Sequence, residues 1–300
     1  MTQLSDAREH ELRSALLTIC DVVGLDAEDA TLIKYTNNVV WRLASPVVVR
    51  IGVGAIGRAR APRVARLARW LTERAAPVPR LMPELAQPVI LDDFAATFWE
   101  WLPGADDQWE VTDLAAPMRA IHGLDVPADV EAGLPHWNPF AAARQRLEAA
   151  DPILPASDRA WLSEQWEHVE GFYSQLPPSP HGIIHGDAHT GNLLRDDHGR
   201  AILCDLDSAG IGPLPWDLAI SAVDALRFGP RHDFARLTAA YGRDFTTEPA
   251  WPALLRIREL GLVTSVLPDL ARRPDVAAEH ARRLRALRDG DSTEPWRPYQ

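Results

Sequence analysis

The chain has almost no lysine. Of its 31 basic residues only Lys34 is one, and the rest are arginine. Wherever the protein's chemistry calls for a cation, a planar fork of donors supplies it rather than a compact ammonium. There are two cysteines, Cys20 and Cys204, in 300 residues. Two thiols in a chain of this length do not make a disulfide framework, and their apolar neighbours read as reduced core positions. Basic residues are outnumbered by 42 acidic ones, for a net charge of −11. That balance excludes the broad basic footprint of nucleic-acid binding. It would attract a cationic ligand and serves solubility equally well. No apolar run reaches the length of a membrane span. Met1–Ala15 is rich in charge and lacks an apolar signal region, so the expected location is cytoplasmic.

The remainder is ordinary for a soluble protein, with 46% hydrophobic and 24% charged residues, and the length suits one large domain or two lobes. Residues 4–24 carry apolar side chains at helical spacing. Three short strands follow, near 31–35, 39–43 and 46–51, joined by the turns Thr36-Asn37-Asn38 and Ala44-Ser45-Pro46. The third, Val47-Val48-Val49-Arg50-Ile51, is strongly β-branched with one charge in it. A helix is predicted over 59–74, then strands near 89–91 and 97–101. After Leu102-Pro103-Gly104 nearly everything reads as helix: 113–124, 139–150, 157–176, 214–227, 232–240, 250–271 and 275–288. The pattern predicts an α+β protein of two lobes, a strand-rich one at 1–102 and a helical one at 103–300.

The richest stretch interrupts those helices. His185-Gly186-Asp187-Ala188-His189-Thr190-Gly191-Asn192 is followed by Ala201-Ile202-Leu203-Cys204-Asp205-Leu206-Asp207. Asp196-Asp197-His198-Gly199 can turn 193–195 back onto 201–204 as a hairpin, bringing Asp205 beside Asn192. An amide and a carboxylate with open positions suit Mg²⁺, which keeps waters and shares phosphate oxygens. A separate carboxylate, Asp187, can accept a hydroxyl proton and aim the oxygen at phosphorus. If the strand continues past Cys204, Asp207 shares a face with Asp205.

This run resembles the aminoglycoside phosphotransferase family of protein-kinase-like small-molecule kinases. The resemblance, over residues 30–225, implies a bilobal kinase-like fold. It also implies ATP or GTP as co-substrate, Mg²⁺ as cofactor, and a small hydroxyl-bearing acceptor such as an antibiotic. The implied catalytic residues are Asp187 and His189, the metal ligands Asn192 and Asp205, and the supporting residues His185, Asp207 and Asp217. Asp217 also reads as an N-terminal cap of its helix. A small molecule is the only expected partner, with no nucleic acid and no membrane, for a monomer or weak dimer.

In the first lobe the family's strand lysine is absent, and Arg50 stands in its place. Asn38 falls in the phosphate-covering turn. Glu100 and Leu102 fall in the connector, where their backbone would meet the purine edge. The helix glutamate that should pair with the strand cation is missing: the facing position, six before Trp70, is Val64. Either another acid serves Arg50 or the pair is dispensed with, and losses of this kind can leave a nucleotide-binding protein without transfer activity.

Two other patterns carry real mechanisms. Gly52-Val53-Gly54-Ala55-Ile56-Gly57 follows a strand and precedes a helix, as in dinucleotide sites. The charge on the preceding strand and the lack of a β-α-β series speak against that, leaving a flexible connector. His181, His185, Asp187 and His189 alternate as metal ligands on a strand would, but a metal hydrolase leaves Asn192, Asp205 and Asp207 unexplained. Acids that could receive a polyamine acceptor are Asp106, Asp107, Glu110, Asp224, Asp233 and Glu259, most of them read as solvated surface charges.

Overall fold

In the computed structural model, which describes residues 6–36, 38–103, 108–150 and 153–299, the β-branched run becomes the middle of a sheet. The chain forms two compact units, Met1–Gln108 with Gly191–Ser208, and Trp109–Thr190 with Ala209–Gln300. The first therefore runs past the junction expected at 102, and it takes in the predicted hairpin.

In the first unit, α1 (Asp6–Val22) precedes β1 (Thr31–Tyr35), β2 (Asn38–Arg42), β3 (Val47–Val53), α2 (Gly54–Glu73), β4 (Val89–Leu91) and β5 (Phe94–Glu100). The five strands form one antiparallel sheet in the order β1-β2-β3-β5-β4. The two-residue period of β3 sorts its side chains. Val47, Val49 and Ile51 are buried in a core with Leu12, Leu16 and Ile19 of α1 and with Trp41 and Phe98. Val48 and Arg50 point the other way. Arg50 pairs with Val40 on one side and Thr97 on the other, so it is a central-strand residue and not an edge charge.

Helix α2 starts five residues earlier than predicted, and Gly52–Gly57 is not a flexible connector. These residues are the end of β3 and the first turn of α2, and the glycines let the two backbones touch. A Cβ on Gly57 would lie 2.4 Å from the Gly52 carbonyl carbon, which no side chain permits. The hairpin of β7 (Leu193–Arg195) and β8 (Ala201–Leu203), with Leu193 opposite Leu203, completes this unit.

The second unit holds α3 (Ala115–His122), α4 (Ala128–Glu131), α5 (Pro139–Ala149), α6 (Ala156–Ser174), α7 (Pro215–Arg227), α8 (His232–Tyr241), α9 (Trp251–Thr264) and α10 (Pro274–Arg288). Helix α9 stops at Thr264, well short of the predicted 271. The two-stranded sheet of β6 (His181–Ile184) and β9 (Gly210–Pro213) was not predicted. Its strands are four residues each, three of the four in the second are glycine or proline, and only their pairing makes them strands. Among the described residues no helix is long and apolar enough to cross a membrane.

Candidate active site

In the first unit the candidate residues gather around Arg50. The guanidinium meets Asp205 Oδ1 at 2.8 Å and Asp207 Oδ2 at 2.7 Å. The Asp207 oxygen also accepts from Arg60 at 2.6 Å and from the Asn38 amide at 2.9 Å. The Asp207 carbonyl accepts from Arg63 at 2.8 Å. Asp207 is thus the acid that serves the strand cation, while the helix contributes arginines where a glutamate was expected. Val64 is buried and lines a small cavity with Arg50, Asn38, Arg60 and Asp207. Burial by itself raises the Asp207 carboxyl, but the charges of Arg50 and Arg60 and the Asn38 hydrogen bond hold it below its ordinary value.

Asp205 and Asp207 do not share a strand face. Strand β8 ends at Leu203, Asp205 has φ +66°, and Leu206–Ser208 is a 3-10 turn. A left-handed aspartate is uncommon and is held here by its surroundings. The Cys204 amide donates to the Asn192 carbonyl at 2.8 Å, which fixes Asn192 next to the residue preceding Asp205. Asn192 and Asp205 line one cavity of about 210 Å³ with Arg50, Lys34, Ile33, Val40, Val48, Leu194 and Leu206. Trp99, Glu100, Trp101 and Leu102 of the connector line it too. Gly104, Asn37, Asp106 and Asp107 lie outside the described residues. Both cysteines are free, and burial pushes each thiol up to about 11.

The second unit holds Asp187 by a different device. Asp217 is fully buried, and its two carboxylate oxygens accept the His185 and Gly186 amides at 2.7 and 2.8 Å. Gly186 has φ +82°, which lets the loop turn so that successive amides face one carboxylate. His122 Nε2 lies 2.9 Å from Asp217, and its Nδ1 2.9 Å from the Tyr241 hydroxyl. Asp217 does not cap α7, whose N-terminus carries no side-chain cap. Burial raises the Asp217 carboxyl, but His122, His185 and the donated amide bring it below its ordinary value. The Asp187 amide points at His185 Nδ1, 3.4 Å away.

His189 Nε2 is 3.7 Å from Asp187 Oδ2, and burial lowers its imidazole despite that carboxylate. Arg258 of α9 lies 3.6 Å from Asp187 Oδ1 and 3.8 Å from Asp224 Oδ1 of α7. The sequence reading missed Arg258, His122, Arg60 and Arg63, because no spacing ties them to the motif. Of the acids read as surface charges, Glu259 is buried against Arg227 at 2.5 Å, and Glu110 and Asp233 are occupied by Arg236. Among the described residues no three His, Cys, Asp or Glu side chains form a metal cluster.

The model of the phosphotransferase enzyme family matches residues 32–260. A homoserine kinase of Pseudomonas aeruginosa is 31% identical over 180 residues, covering 57% of this chain and 55% of that protein. The match therefore spans about half the length of that relative. Among solved structures, an amicoumacin kinase in complex with AMP-PNP and Ca²⁺ has a TM-score of 0.71 at 15% identity, over 96% of this chain and 98% of the other. A choline/ethanolamine kinase family protein from Mesorhizobium loti has a TM-score of 0.66 at 19% identity, over 94% of each chain. At these identities the likeness is one of fold. It is the kinase-like α+β fold that the family resemblance implies.

Proposed function

Because the chain belongs to the phosphotransferase enzyme family, we propose that it is a Mg²⁺-dependent kinase that moves the terminal phosphate of ATP or GTP to the hydroxyl of a small molecule. The observation that carries this reading is the cavity of the first unit. The connector, the strand cation and an amide–carboxylate pair all line it.

The donor chemistry fits the metal. Asn192 and Asp205 offer hard oxygens in an incomplete set, as suits an ion that retains water and shares phosphate. When bound, Mg²⁺ neutralises charge on the phosphates. The backbone of Glu100 and Leu102 reads the purine edge. Arg50, aimed by Asp207 with Arg60 and Asn38 behind it, supplies positive charge to the phosphate chain. Asp187 accepts the hydroxyl proton while the acceptor oxygen bonds to the terminal phosphorus. The bond from that phosphorus to the bridging oxygen breaks, and the nucleoside diphosphate leaves. His189, kept neutral by burial, is a hydrogen-bonding partner beside Asp187. His185 and Asp217 hold the loop.

The reading without transfer activity rested on the missing helix acid. Asp207 pairs with Arg50 instead, which supports the kinase reading over that one. The dinucleotide reading loses its support at Gly52 and Gly57, where the backbones already touch. Antibiotic acceptors are supported by solved neighbours such as a spectinomycin phosphotransferase, and a hydroxy amino acid by the homoserine kinase.

The test is thermal stability with ATP or GTP, with and without Mg²⁺, in the native protein and in Asp205→Ala. The expected result is a Mg²⁺-dependent rise that the variant weakens. No rise with either nucleotide at millimolar concentration would sink the kinase reading.

A further inference from the structure

The first strand breaks its own alternation. Leu32 stands opposite Trp41 of β2, and Lys34, two residues on, stands opposite Val40, only one residue back. The extra residue is Ile33, a β-bulge. Without it the two-residue period would put Lys34 opposite Val39, whose side chain is buried in the core of the unit. Leu32 and Tyr35 on either side keep their packing against that core. The bulge therefore turns Ile33 and Lys34 alone to the other face, and re-aiming a side chain is a recurrent use of bulges beside ligand sites.

The face that Lys34 reaches is that of Arg50. Lys34 is opposite Val40, Val40 opposite Arg50, and Arg50 opposite Thr97, so one row runs across four strands. Ile33, Lys34, Val40 and Arg50 all line the cavity of about 210 Å³. Two strand spacings, roughly 10 Å, separate the two cations, and both side chains are long enough to meet a group lying over Val40. Glu100 of the connector lines the same cavity. It is three positions along β5 from Thr97, about 10 Å at the rise of a strand. The cavity thus has a cationic row at one end and the connector at the other.

The charges of that row are not equally spent. Arg50 Nη2 meets Asp205 at 2.8 Å and Asp207 at 2.7 Å, and Arg60 meets Asp207 at 2.6 Å. Two guanidinium charges face two carboxylates and cancel. Arg63 donates to the Asp207 carbonyl and does not line the cavity. Lys34 has no ion pair among the described residues. Its charge still acts at the site: burial and then Asp205 push the Cys204 thiol up, and Lys34 and Arg50 oppose the rise. Lys34 is the unmatched positive charge of this cavity, and a phosphate chain brings the matching negative one.

We propose that Lys34 is a phosphate-binding residue, its ammonium meeting the phosphate chain of the nucleotide across Val40 from Arg50, whose own charge is matched by Asp205 and Asp207. This rests on the kinase reading and adds to it the residue that supplies the unmatched charge. The chain's single lysine thus serves from the first strand, aimed by a bulge.

The experiment is calorimetric titration of the full chain, with Mg²⁺ present, using ATP and adenosine and, in parallel, GTP and guanosine. The native protein is compared with Lys34→Met and Lys34→Arg. Lys34 is exposed on an edge strand, so neither substitution touches the core. For the purine that the native protein prefers, Lys34→Met should weaken the triphosphate about tenfold, one charge-assisted contact, and leave the nucleoside unchanged. Lys34→Arg should recover part of that loss. A triphosphate-to-nucleoside ratio that Lys34→Met leaves at its native value would overturn the assignment. With both affinities unchanged, Lys34 would be a solvated edge charge; with both lowered together, a structural residue. Absence of triphosphate binding by the native protein would instead overturn the kinase reading itself.

Discussion

Asp207 in the first unit and Asp217 in the second are both carboxylates whose pKa is held below its ordinary value, and they are built differently. Asp207 is bonded by side chains: Arg50, Arg60 and Asn38 converge on one of its oxygens. Asp217 is bonded mainly by backbone, with the His185 and Gly186 amides on its two oxygens and His122 behind. A side-chain network can be rewired, because another acid can reach the same cation. A carboxylate that organises amides fixes the path of the chain, and nothing nearby can replace it. Where the family resemblance implies a strand lysine and a helix glutamate, the first unit has Arg50 paired with a post-hairpin aspartate. The loop bearing Asp187 keeps the family's pattern.

The largest expected effect is on the group that the second device presents. Asp187→Asn should lower turnover by about a thousandfold, the usual scale for a lost general base. Melting temperature and nucleotide affinity should stay near those of the native protein. A parallel loss of nucleotide affinity would mean that Asp187 belongs to binding instead.

Next is the buried carboxylate. Asp217→Ala strands two amides and His122, at a cost of about 4 kcal/mol in urea unfolding. Asp207→Ala, which leaves Arg50 its second carboxylate, Asp205 at 2.8 Å, should cost no more than about 1–2 kcal/mol. Equal costs for the two would erase the distinction between the devices.

Acid brings out a third difference within the helical unit. His280, buried on α10, has its imidazole lowered to about 4, so it is neutral in the folded protein where the unfolded chain already binds a proton. Stability should fall as pH drops from about 6.5 to about 4, by about 3 kcal/mol at 1.36 kcal/mol per unit. His280→Gln should flatten that segment of the profile. Asp207 and Asp217 act lower. Their folded values are depressed, so their contribution is present above the unfolded carboxylate pKa, roughly 4, and is lost as pH falls further.

The smallest effect is the most specific. Asp207→Ala should weaken Mg²⁺-nucleotide binding about tenfold, one charge-assisted contact's worth. Val64→Glu added to it should restore part of that loss, because Val64 and Arg50 line one cavity. Failure of the second substitution to restore any affinity would show that Asp207 does more than aim Arg50.

The hairpin that brings Asn192 beside Asp205 was legible because its determinants are local. Turn residues set the register, and a short spacing sets which side chains meet. Arg50 was legible for a similar reason, as a single charge in a β-branched strand. Its partner was not. Asp207 was placed on a strand face, and only the left-handed Asp205 and the 3-10 turn after it swing Asp207 onto Arg50 and Arg60. The glycines at 52 and 57 show the same limit. The pattern suits a phosphate loop or a connector, and the actual reason, contact of two backbones, depends on where the helix packs.

Periodicity and composition by themselves determined the α+β class and most of the helices, and turn residues the hairpin of 193–203, since these follow from interactions within a few residues. Tertiary structure alone decided that Asp217 organises the loop from 31 and 32 positions away, that Glu259 is sealed against Arg227, and that Arg258 pairs with Asp187 and Asp224. Each of those depends on which side chains from distant helices arrive within a few ångströms of one another. No spacing along the chain encodes that, because it is set by how the apolar faces of the helices pack.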